Sequence, residues 1–113
     1  MADVQYVNPG DTLVAGAVLY AGPCVVYFVH AVHDSGAASF IQVFDAVSAP
    51  ADNTVPHITH SVKANDDAKI ETITPTVFRN GLYICESSTA PKKTIVAGTH
   101  CFFVAGIEPR PNY

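Results

Sequence analysis

Along the chain, runs rich in β-branched and aromatic residues recur between clusters of Gly, Pro, Asn and Asp. That pattern reads as short strands separated by turns. No window of a dozen residues sustains apolar positions at i, i+3, i+4 and i+7 with a cap and a stop, so no helix is predicted. The predicted strands cover residues 4–7, 12–20, 24–33, 39–47, 57–64, 69–74, 82–87, 94–96 and 101–105. Between them stand segments such as Asn8-Pro9-Gly10-Asp11, Gly22-Pro23, Asn65-Asp66-Asp67 and Arg79-Asn80-Gly81. There Gly supplies positive φ, Pro pre-sets φ, and Asn and Asp hydrogen-bond their own backbone. Asp34-Ser35-Gly36, between two strong strands, predicts a tight hairpin. The longest connection, residues 48–56, carries Pro50 and Pro56 without an apolar run. It reads as a crossover between sheets or an exposed arm. Eight or nine short strands at this spacing predict an all-β fold, an antiparallel β-sandwich of jelly-roll-like type. One domain spans residues 1–113, with extended arms expected at 1–10 and 106–113. The second arm contains Pro109 and Pro111, which cannot continue a central strand, and ends in Tyr113, a candidate aromatic anchor on a neighbour.

Side chains alternate between the two faces of a strand. Strict alternation over residues 24–33 puts Val25, Tyr27, Val29 and Ala31 on one face and Val26, Phe28, His30 and Val32 on the other. Both faces are apolar. The flanking strands repeat this, with Leu13, Ala15, Ala17 and Leu19 against Val14, Gly16, Val18 and Tyr20, and with Ile41 and Val43 against Phe40, Phe44 and Ala46. A two-layer sandwich needs only one apolar face per strand. The outer faces are therefore expected to be covered, by another subunit in preference to the chain's own loops.

Composition sharpens that expectation. Apolar residues make up 49% of the 113 residues and charged residues 14%, against roughly 25% charged in soluble domains. Residues 1–62 contain no Lys or Arg, so Asp3, Asp11, Asp34, Asp45 and Asp52 give that part of the chain an acidic balance. This reads as chance or as an acidic face for a basic partner. There is no basic cluster with interleaved aromatics, so no nucleic-acid partner is expected. Cys24, Cys85 and Cys101 are odd in number and widely spaced, and read as buried thiols of a protein made in a reducing cytoplasm. Met1-Ala2-Asp3-Val4 lacks the basic-then-apolar order of a signal peptide. The longest apolar stretch, residues 24–32, is about half a membrane span, so no membrane partner is expected.

Five histidines invite a metal. His30 and His33, like His57 and His60, are three apart, which on a strand places them on opposite faces. A composite site of His100, Cys101 and another strand is conceivable. A metal-dependent jelly-roll enzyme would have to use His57, His60 or His100. No Gly-x-Ser-x-Gly elbow, catalytic-cysteine signature or phosphate loop is present. Cys85 beside some histidine, and Glu71, Glu86 and Glu108, offer no pairing that spacing supports. The sequence therefore predicts no enzyme, no catalytic residue, no cofactor and no metal ligand.

Four segments read in order resemble a widespread group of small virion-associated proteins of tailed bacteriophages. They are Ala21-Gly22-Pro23-Cys24-Val25-Val26-Tyr27, Ser35-Gly36-Ala37-Ala38-Ser39-Phe40-Ile41-Gln42-Val43-Phe44-Asp45-Ala46, Pro50-Ala51-Asp52-Asn53-Thr54-Val55-Pro56 and Phe78-Arg79-Asn80-Gly81-Leu82-Tyr83-Ile84-Cys85-Glu86-Ser87-Ser88-Thr89. The resemblance covers residues 20–105. It implies a non-enzymatic β-sandwich on the outer surface of the virion, a capsid decoration or cement protein. Such a protein would form a homo-oligomer, a trimer foremost, and bind the major capsid protein. The alternative is a tail or fibre module that binds a host glycan. The Cys and His content departs from the group.

Overall fold

The computed structural model describes residues 5–8, 10 and 13–110, with the backbone alone for residues 71–75. Eight strands follow one another: β1 (Gln5–Val7), β2 (Gly16–Ala21), β3 (Cys24–His33), β4 (Ser39–Asp45), β5 (Ile58–Val62), β6 (Asp67–Phe78), β7 (Gly81–Ser87) and β8 (Cys101–Pro109). They form two four-stranded antiparallel sheets, β1-β8-β3-β6 and β2-β7-β4-β5. Every connection except β4–β5 passes from one sheet to the other. Two facing sheets in these strand orders make a jelly roll, as the sequence predicts. The described residues hold no helix long and apolar enough to cross a membrane.

The core lies between the sheets. Cys24, Val26, Val29, Ala31, Phe103, Ala105 and Ile107 of one sheet meet Leu19, Ile41, Val43, Leu82 and Ile84 of the other. At roughly 25 cal/mol per Å² of apolar surface removed from water, such burial is the main term favouring the fold.

Several expectations need correction. Asp34-Ser35-Gly36 is not a hairpin turn, because β3 and β4 belong to different sheets. A short turn after a strong strand is equally suited to a corner between layers. Residues 94–96 are not a strand; only Ile95 bridges to Ser87. Residues 106–109 are not an arm but the end of β8, where Cys24 pairs with Pro109. Pro109 fits because it is the last strand position, and the next backbone N–H, of Arg110, donates to Pro23 O. Gln5–Val7 of the other supposed arm pairs with β8. Residues 1–4, 9, 11, 12 and 111–113, including Tyr113, lie outside the described residues. β6 runs through Pro75, because it is an edge strand where a missing N–H costs no ladder bond on the open side.

The faces of β3 also differ from strict alternation. The register with both neighbours shifts between Val26 and Phe28. This bulge at Tyr27 resets the phase. Cys24, Val26, Val29, Ala31 and His33 therefore point inward, and Val25, Phe28, His30 and Val32 outward.

The two outer faces are finished differently. On the β2-β7-β4-β5 sheet, Phe44, Tyr83 and Cys85 form a small second core with Ala46. Loops 46–57 and 88–100 meet there. Asn53 N–H donates to Lys93 O and Lys93 N–H to Thr54 O. The buried Lys93 ammonium donates to Pro50 O at 2.5 Å and reaches Asp52 Oδ1 at 3.4 Å. The buried Gln42 amide donates to Thr89 O and Pro91 O. Residues 48–56 are thus neither crossover nor free arm. The outward side of β4 is covered by the chain itself, contrary to the expectation of a second subunit there. On the other sheet, cross-strand rows run Tyr6–Gly106–Phe28, Val104–His30–Lys69 and Phe102–Val32–Asp67. On this face Tyr6 is 73% and Val32 43% exposed, Phe28, His30, Phe102 and Val104 are half-buried, and Val25 is buried.

The acidic residues of the first half do not build one face. Asp34 lies 3.5 Å from His100, Asp45 accepts backbone N–H groups, and Asp52 reaches Lys93 and the Ile95 N–H. Asp3 and Asp11 lie outside the described residues.

Candidate functional site

The jelly roll brings four strand ends together at one end of the sandwich. His33 closes β3 and Cys101 opens β8 directly opposite it. Ser39 opens β4 and Glu86 lies near the end of β7. Strand phase turns all four side chains between the sheets, and all four residues are buried.

Glu86 is the hub. Its Oε2 lies 2.8 Å from His33 Nε2 and accepts the Ser39 hydroxyl at 2.8 Å. Its Oε1 accepts the Cys101 thiol at 3.8 Å. Ser39 Oγ is also 3.3 Å from His33 Nε2. The opposite ring nitrogen, Nδ1, faces Lys63 O at 3.2 Å. A carbonyl only accepts, so Nδ1 carries a proton and the tautomer is fixed. Nε2 then either donates its own proton to Glu86 or offers a lone pair.

A carboxylate taken from water is costly unless its lone pairs are satisfied. Here an imidazole, a hydroxyl and a thiol satisfy them, drawn from both sheets. Burial first, and the Glu86 carboxylate second, push the Cys101 thiol up to about 12. Burial likewise raises Cys24 to about 11 and Cys85 to about 12. All three cysteines are free and buried, as the sequence predicts.

The cluster is not a Ser–His–acid relay. That arrangement needs the acid on one ring nitrogen and the serine on the other. Here both compete for Nε2, and the serine donates to the acid. Two open depressions of the surface, at Phe28, His30 and Lys69 and at Phe44, Pro50, Val55 and His57, share no lining residue with it.

Other sequence candidates are scattered. His30 and His33 take opposite faces. His60 is exposed on β5, bonded to its neighbour Ser61 O. His57 packs its ring against Phe78 at 4.8 Å. His100 sits beside Asp34 and does not join Cys101 in the cluster. Glu108 accepts from Tyr27 and Arg110 at the far end of β8. The Glu71 side chain lies outside the described residues. Sequence reading missed the His33–Ser39–Glu86–Cys101 set because its members are up to 68 positions apart, the span from His33 to Cys101. The one available signal was an inward-phased Glu86 within the apolar run of β7.

A comparison with known proteins gives no match: no family model, no curated protein and no solved structure matches the chain.

Proposed function

We propose that this chain is a structural protein of a bacteriophage virion, a capsid decoration or cement protein that acts by surface docking. The observation that carries this reading is the unequal finish of the two sheets. The chain lays two loops over one outer face and leaves on the other the apolar residues Tyr6, Phe28, Val32, Phe102 and Val104 in neighbouring rows, with His30 and Lys69 among them. A largely apolar outer face on a domain with few charges suits a binding surface. Its edge strand β6 carries Asp67 and Lys69, charges that discourage indiscriminate edge pairing. The resemblance of four segments to virion proteins of tailed phages supplies the partner: the major capsid protein, with the protein itself assembled as a trimer. Jelly rolls are a recurrent architecture of capsid proteins.

Sedimentation of the purified protein and image reconstruction of virions test this. A trimer, and density on the shell exterior at subunit junctions, are the expected results. Protein found only at the tail would overturn the reading. Val32→Glu should keep the native circular dichroism and stability within about 0.5 kcal/mol, yet abolish binding to shells lacking the protein. Unchanged binding by this variant would move the docking surface elsewhere.

A further inference from the structure

We propose that His33, Glu86 and Cys101 form a binding site for a divalent transition-metal ion, zinc foremost, that clamps the two sheets together. The site is separate from the docking face and independent of the proposed virion role.

The donor atoms of these three residues lie within 4.8 Å of one another, and all three residues are buried. One comes from β3, one from β7 and one from β8. Imidazole nitrogen, carboxylate oxygen and thiolate sulfur together match zinc, whose sites accept all three and are tetrahedral. His33 is oriented as metal-bound histidines are, with the far N–H donated to a main-chain carbonyl and the near nitrogen aimed at the other donors. Three protein donors leave the fourth tetrahedral position to a water, beside Ser39 Oγ, which lies 2.8 Å from Glu86 and 3.3 Å from His33 Nε2.

Charge closes the argument. The 2.8 Å contact between His33 Nε2 and Glu86 Oε2 holds one proton between them, so without metal this pair and a neutral thiol sum to zero. A divalent ion held by neutral imidazole, carboxylate and thiolate also sums to zero. Loading therefore exchanges one M²⁺ for two protons, one from the His33–Glu86 hydrogen bond and one from Cys101 Sγ, with no oxidation or reduction. Either state avoids a net buried charge, whose cost would be prohibitive. Because loading releases protons, metal uptake is expected to weaken as pH falls.

The test uses the full chain, stripped with a chelator and titrated with Zn²⁺ by calorimetry in buffers of different ionisation enthalpy, and with Co²⁺ by absorbance. One equivalent per chain, release of two protons, a thiolate-to-cobalt charge-transfer band and the intense visible bands of a four-coordinate ion are expected. Cys101→Ser should lose the band and the stoichiometric step, whereas Cys24→Ser should keep both. X-ray absorption of the zinc-loaded wild-type chain should show a single sulfur neighbour among nitrogen and oxygen donors, a readout that needs no variant to fold. Absence of stoichiometric binding by the folded wild-type chain would overturn the proposal. So would a band retained in Cys101→Ser, or two sulfur neighbours.

Discussion

Asp45 shows how much one side chain can organise. It ends β4, yet its two carboxylate oxygens accept the backbone N–H groups of Arg79, Asn80 and Gly81 at 3.1, 2.8 and 3.2 Å. It thereby pins the corner where the chain leaves one sheet for the other. Burial pushes its carboxyl up, but the three donors outweigh that and leave it below the ordinary value. A folded-state value below the unfolded one stabilises the fold above the unfolded value, about 4, and that stability is lost as pH falls through the folded value. Asp45→Asn should cost about 1–3 kcal/mol at neutral pH and flatten the stability–pH curve below about pH 4. Urea denaturation across pH checks both. At the same corner Gly81 admits no side chain, since a Cβ would lie 2.7 Å from Tyr20 O and 2.9 Å from Ala46 O. Gly106 is tight for a different reason: the Phe28 ring from the facing strand lies over it, 2.3 Å from where a Cβ would be. Backbone cannot yield, but a surface ring can swing away. Gly81→Ala should therefore cost more than Gly106→Ala, roughly 2–3 against 1 kcal/mol. Thermal melts that reverse this order would refute the distinction.

At the scale of elements, the His33–Glu86 pair ties β3 to β7, and with them the two sheets. A buried pair of this kind adds little net stability, but breaking it strands the remaining charge. Glu86→Ala in the presence of a chelator should destabilise by about 3–5 kcal/mol, whereas a double substitution of Glu86 and His33 by apolar residues of similar volume should be near neutral. Two single losses that simply add would show that the pair is not coupled. The strands also explain thiol behaviour. Cys24, Cys85 and Cys101 all lie in paired strands, buried, with thiolates disfavoured up to pH 11–12. At neutral pH a disulfide reagent should label none of them in the native chain and all of them in denaturant. Rapid native labelling would mean that these strand ends open far more often than their packing implies.

For the whole molecule, every connection but one crosses between sheets, so native contacts join distant parts of the chain. Loop closure must then precede the contacts that reward it, and refolding should fall in the millisecond-to-second range of non-local β-folds. Stopped-flow fluorescence of the tyrosines measures this. The same topology makes the molecule two-sided: residues 46–57 and 88–100 lie over one outer face, themselves exposing Val47 and Val55, and the other face presents Tyr6 and Val32 to solvent.

The strands themselves were legible in the sequence, because period-two apolar runs and Gly, Pro, Asn and Asp punctuators are local signals. So were the burial of the cysteines and the surplus of apolar surface on residues 24–33. Where proline or a bulge intervened, local reading failed. Pro75 hid the second half of β6, and the bulge at Tyr27 exchanged the faces of the later β3 residues, since register is settled by two partner strands at once. The sheet membership of β3 and β4 likewise depended on partners far along the chain. The cluster of His33, Ser39, Glu86 and Cys101 was out of reach for the same reason: spacing within a strand says which face a side chain takes, but only the docking of two sheets says what it meets there.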